Sequence, residues 1–230
     1  MDWGVLHLST AAGDIPQAVW ADVSMNRILT VAMLVIVLVC LQDFFQLAPL
    51  LSGCLVRSRG NIEIEHSVSQ ARNRNRCAFA GLGILSLLAD RYGLYPAAFV
   101  YAAAPGWRVP ILFGVFCLFV IFHRIVAGLI RKNKLDNESR AACTHAVYNY
   151  FLATLPLMLV SVAVLWLFKA GDSAIRAVLL AEIFAVLMIT LLREGQILSS
   201  KYSPLQTFLY LCGLEFIPLA ALIAPAVVLQ

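Results

Sequence analysis

The sequence predicts an all-α fold, a polytopic transmembrane helix bundle of about six spans, and three observations predict it. Of the 230 residues, 61% are apolar and 13% charged, against about 45–50% and about 25% in an ordinary soluble domain. A soluble core of this size needs far more polar surface to cover it, so the composition implies a lipid-facing exterior. The charges are segregated as well: of thirty, seven lie between Arg57 and Arg76 and six between Arg131 and Arg140. Finally, the apolar residues fall into stretches near the ~20 residues a helix needs to cross ~30 Å of hydrocarbon. Together these exclude a soluble enzyme, a secreted disulfide scaffold, a disordered chain and a nucleic-acid binder.

Residues 1–26 form an outer-side segment with neither the basic start nor the long apolar core of a secretory signal. Within it, Val19, Trp20 and Val23 are spaced for one helical face, so Ile15–Met25 is read either as an interfacial helix or as a structureless tail. The remainder, 27–230, reads as one transmembrane domain. Its first span covers 28–51 and is interrupted by Gln42, Asp43 and Gln46. The second, 77–98, has only thirteen apolar residues from Cys77 to Ala89 before Asp90, Arg91, Gly93 and Pro96 intervene. One tilted helix that keeps Asp90 and Arg91 near an interface is preferred over a helix broken at Gly93–Pro96. Spans over 109–130, 146–168, 174–198 and 205–229 follow, of which 146–168 has the cleanest apolar run. Basic loops occupy 52–76 and 131–144.

Orientation follows from Lys and Arg in the connections. Those after the first, third and fifth spans hold eleven and the opposite side five, which puts both termini outside and the basic loops in the cytoplasm. All four tryptophans (Trp3, Trp20, Trp107, Trp166) fall toward the outer side, where an aromatic belt would sit. The six cysteines lie within spans or at cytoplasmic ends, so no disulfide is expected.

An ionisable residue inside a span is costly and marks a functional candidate. Asp43 and His123 lie at matched depth, ~6 Å to the cytoplasmic side of the middle of their spans, so Asp43 is expected to pair with His123 or Arg124. The pair would orient two helices or form a proton relay, with Arg124 snorkelling to the inner interface. Glu215 falls within a turn of the midplane. Pro218 cannot donate to the carbonyl of Leu214, which leaves an acceptor beside that carboxyl group. Glu215 is expected to bond another span near Asn149 or Tyr148, or to handle a proton or cation. Glu182 is close enough in sequence to Arg176 and Lys169 for a local ion pair, and Arg193 and Glu194 should be solvated. Ala220 and Ala224, with Gly213 two turns earlier, suit the close approach of another helix, either in internal packing of the last span or at a homodimer face. Arg72, Arg74 and Arg76 precede a span and suit lipid headgroups or an acidic partner, though they also serve simply as an orientation signal.

The sequence carries no paired-Cys metal motif, no His-Glu-x-x-His signature, no Gly-x-Ser-x-Gly elbow and no phosphate-binding glycine loop. No catalytic residue, metal or cofactor is therefore expected. The run Phe208 to Leu219, with Tyr210, Leu211, Cys212, Leu214, Glu215 and Pro218 in place, resembles the closing helix of an uncharacterised multi-spanning membrane family of Bacteroidota. The resemblance extends through Tyr148–Phe151 and Leu155–Leu157 and covers roughly residues 109–230, the first hundred matching only in layout. It implies a bacterial inner membrane and transfers no activity. The expected function is a non-enzymatic scaffold or assembly component of a cell-envelope system, with the lipid bilayer and other envelope membrane proteins as partners. The alternative is a small proton- or ion-coupled transporter using Glu215.

Overall fold

The computed structural model describes residues 17–56, 68–129 and 137–228. Among them every regular element is helical: α1 (Gln17–Asp22), α2 (Ser24–Val56), α3 (Val68–Tyr92), α4 (Ala98–Tyr101), α5 (Arg108–Leu129), α6 (Asn137–Leu167), α7 (Asp172–Ser199), α8 (Pro204–Leu211) and α9 (Ile217–Val228). A 3-10 turn, Pro105–Trp107, leads into α5, and a π-helical segment, Cys212–Phe216, joins α8 to α9. Five of these stretches are long and apolar enough to cross a membrane, namely Ser24–Leu51, Pro105–Leu129, Ala146–Leu167, Asp172–Ser199 and Pro204–Val227. Large apolar side chains stand exposed on all five, for example Val39, Leu118, Val160, Phe184 and Phe208. A soluble protein does not present so continuous an apolar surface, and the chain is a membrane-embedded all-α bundle.

The sixth long helix, α3, explains why its apolar run looked too short. It packs against α2, α5, α6 and α7 and is the central helix of the bundle. Its small and polar residues, Cys77, Ala80, Gly81, Gly83, Ser86, Ala89 and Asp90, are buried against neighbouring helices. A helix lined by protein has no need of the apolar residues that lipid demands. Two of its glycines sit at close approaches: a Cβ on Gly81 would collide with Leu155 and Phe151 of α6, and one on Gly83 would displace the flexible end of Met33 of α2.

The expected single tilted helix through residue 98 is not what forms. Helix α3 stops at Tyr92, where Gly93 adopts φ +60° and the Leu94 amide donates to the Ala89 carbonyl at 3.0 Å, a glycine-terminated helix end. The chain then re-enters the bundle: Ala97 and Val100 are buried with Leu112 and Ala226, and the Tyr95 hydroxyl donates to the Leu222 carbonyl at 2.7 Å. Freed backbone at this depth is thus covered by protein.

The expected loops 52–76 and 131–144 are also shorter than drawn, because α2 runs on to Val56, α3 begins at Val68 and α6 begins at Asn137. Helix-compatible residues such as Gln70, Ala71, Arg72, Ala141 and Ala142 let these helices continue past the apolar stretch. Residues 57–67 and 131–136 of those loops, residue 130 at the end of the preceding span, residues 1–16 of the outer-side segment and residues 229–230 lie outside the described residues. Within 17–26 the short α1 is helical rather than structureless, and it is tied to the bundle. Its Trp20 Nε1 donates to the buried Asp90 carboxylate at 2.7 Å, and the Arg91 guanidinium lies 5.8 Å from the Trp20 ring. Arg91 also reaches Asp172 at the start of α7, at 3.4 Å. These contacts place the starts of α2 and α7 beside the end of α3, as an up-and-down bundle requires. The opposite, basic end carries Arg72, Arg76, Arg124 and Lys201, all exposed.

Candidate functional site

Of the intramembrane candidates, the structure brings two together: His123 Nε2 lies 3.0 Å from Glu215 Oε1, with side-chain exposures of 1% and 7%. Each residue owes its position to a local feature. His123 sits six residues before the end of α5, ~9 Å along the helix from its last residue, and shares the buried face of Val109, Leu112, Phe116 and Ala127. Glu215 lies in the π-helical segment, where the Ile217 amide bonds the Cys212 carbonyl five residues back. The widened turn directly precedes buried Pro218, which has no amide to donate in any case. Pro218 thus follows a widened turn rather than sitting inside a regular helix. The helix instead changes register at this point, and Leu214 and Glu215 are its buried residues. Such π segments are frequent at functional positions.

A layer of polar and aromatic groups surrounds the pair. Phe119 and Tyr148 flank the His123 ring with centroids 6.2 Å away, Tyr148 edge-on. The Arg124 guanidinium lies 5.5 Å from the centroid of the Tyr148 ring, within cation–π range. Arg74 of α3 is 1% exposed and interacts electrostatically with Tyr148, its Nε and Nη2 donating to Asn75 Oδ1 at 3.3 and 3.2 Å. His123 Nδ1 has no hydrogen-bond partner among the described residues.

The other candidates fall elsewhere. Asp43 lies beside Cys77 of α3, because α2 packs on α3 and α6 while α5 packs on α3 and α9. Equal depth in sequence did not make α2 and α5 neighbours, so the expected partnership of Asp43 with His123 or Arg124 is replaced by the His123–Glu215 pair. Glu182 accepts a hydrogen bond from the Ser161 hydroxyl of α6 and forms no ion pair with Arg176 or Lys169: its carboxylate points across the helix interface rather than along its own helix. Glu194, expected in solvent, is wholly buried, although its neighbour Arg193 reaches Gln196 at 3.0 Å on the surface. Ala220 and Ala224 face outward rather than into the bundle.

Of the three arginines expected at headgroups, Arg72 and Arg76 are exposed but Arg74 is buried. A helix turns 200° over two residues, so the middle member of a set spaced by two must face away from the outer members. Arg74 was the functional-layer residue that sequence reasoning misplaced, and that spacing was the signal available.

Four of the cysteines, Cys40, Cys77, Cys117 and Cys212, are free. No cluster of three or more His, Cys, Asp or Glu side chains able to hold a metal occurs among the described residues. Compared with protein-family models, curated proteins and solved structures, the chain matches none.

Proposed function

We propose that the chain is a non-enzymatic integral protein of a bacterial inner membrane that acts as a scaffold or assembly component of a cell-envelope system, with both termini outside. The Bacteroidota resemblance of residues 109–230 is part of this reading. The observation that carries it is the closed His123–Glu215 pair. Each group answers the other at 3.0 Å inside the bundle, and a buried polar pair of this kind fixes which helices meet and in what register. In this role the pair joins α5 to the segment between α8 and α9.

A second reading is a small proton- or ion-coupled transporter. It is favoured by the unpartnered His123 Nδ1 and by the π-helical register at Glu215, since a histidine that can take a proton on its second nitrogen is what a relay needs.

Substituting Glu215 by Gln separates the two readings. Glutamine keeps a hydrogen-bond acceptor for His123, so the scaffold reading expects stability within about 1 kcal/mol of the parent and unchanged co-purification of membrane partners. Stable Glu215→Gln protein that has lost a pH-dependent flux in proteoliposomes would establish the transporter instead. Orientation is checked with reporter fusions at Gly60, Lys134 and the C-terminus. A cytoplasmic C-terminus contradicts the proposed topology.

A further inference from the structure

Helices α3, α5, α6 and α9 enclose a groove of about 390 Å³, within the roughly 300–1,000 Å³ typical of small-molecule sites. Its wall is graded in polarity. Along α3 the lining begins at Asn75 and continues at positions three or four apart to Leu82 and Leu85, a single stripe of one helix face. Helix α5 runs the other way, so its Arg124 joins Asn75 at the basic end, and Tyr148 near the start of α6 completes that end. Beyond them the wall is hydrocarbon, with Leu222 of α9 contributing to it. The groove is open to the side: Phe79, one of its lining residues, is 61% exposed on the lipid-facing surface.

Two facts identify the occupant's chemistry. A lateral apolar groove at membrane depth is filled favourably by hydrocarbon and unfavourably by water. Arg124 is exposed, forms no salt bridge with a carboxylate among the described residues, and is held by the Tyr148 ring at the groove's polar end. Arg72 and Arg76 add two exposed cations seven and three residues before Phe79, on the same stripe of α3. A cation at the headgroup end of an acyl-sized groove complements an anionic lipid.

We infer that this groove binds one acyl chain of an anionic phospholipid from the leaflet at the basic end, with the lipid phosphate on Arg124. Neither member of the His123–Glu215 pair lines the groove, although Phe119 and Tyr148 border both, and the inference holds whether the bundle is a scaffold or a carrier.

The test is native mass spectrometry of the full-length, delipidated protein in detergent, titrated separately with dioleoylphosphatidylglycerol and dioleoylphosphatidylcholine. One saturating phosphatidylglycerol adduct is expected, bound about tenfold more tightly than phosphatidylcholine. Arg124→Gln should abolish that preference and Arg124→Lys should retain most of it. Leu82→Trp, which fills the groove without touching its charge, should lose the saturable adduct. Equal affinity of the two lipids for the parent protein overturns the proposal, and so does a Leu82→Trp variant that binds normally. Both outcomes can be read even if Arg124→Gln fails to fold. Displacement of phosphatidylglycerol by equimolar oleate would overturn the assignment to a phospholipid.

Discussion

Replacing Glu215 by alanine is expected to destabilise the bundle by about 3–5 kcal/mol, the cost of removing one member of a buried pair and stranding the other. His123 would be left 1% exposed with neither ring nitrogen answered, since Nδ1 already lacks a partner among the described residues. The lost side chain also opens a cavity between α5 and the π-helical segment. For a chain of this length the loss corresponds to a fall of about 10 °C in the melting midpoint, measurable by fluorescence-detected size-exclusion in detergent. Glu215→Gln should fall far less, because its amide still reaches Nε2. An alanine variant as stable as the glutamine variant would show that the hydrogen bond contributes little.

Gly81→Leu is the second large effect. At Gly81 even a Cβ meets Phe151 Cε1 at 3.0 Å and approaches Leu155 closer still, so a leucine must push α6 away from the central helix. The same region holds a buried core in which Leu47, Cys77, Tyr150, Leu152 and Leu155 pack together. Overpacking at such a contact costs about 3 kcal/mol, and α2, which rests on both α3 and α6, would be displaced as well. The expected readout is loss of the monodisperse peak at temperatures where the parent keeps it. Gly114→Leu is the control, because nothing lies within 4 Å of a Cβ there, and it should leave the peak unchanged.

Five of the six long elements were legible in the sequence because lipid-facing helices advertise themselves: a 20-residue apolar stretch has few other uses. Helix α3 was the exception for the same physical reason. Its neighbours are protein, so close packing asks for small and complementary residues such as Gly81, Gly83 and Ser86 rather than for apolar length. The end of that helix illustrates a second limit. Gly93 and Pro96 signalled a break, but only the burial of Ala97 and Val100 decides between a break and a tilted continuation.

For the site, residue type was informative and pairing was not. His123, Arg124 and Glu215 stood out because a charge in hydrocarbon is costly. Depth along a helix can be counted from sequence, whereas azimuth and helix adjacency cannot, so Asp43 was matched to a helix on which α2 does not pack. Glu194 shows the converse. A carboxylate near a helix end looks solvated in one dimension and is buried when another element covers it.

The most direct test of the central claim, that His123 and Glu215 tie α5 to the last span, is a double-mutant cycle on thermal stability with His123→Ala, Glu215→Ala and the combined variant. The account predicts strong non-additivity. Once either partner is gone the second substitution should cost about 1–2 kcal/mol less than it does alone, the upper range for polar contacts between membrane helices, the rest of each loss coming from the cavity left behind. Strictly additive losses would contradict it, because they would mean that the two side chains, though 3.0 Å apart, do not hold the helices together through each other.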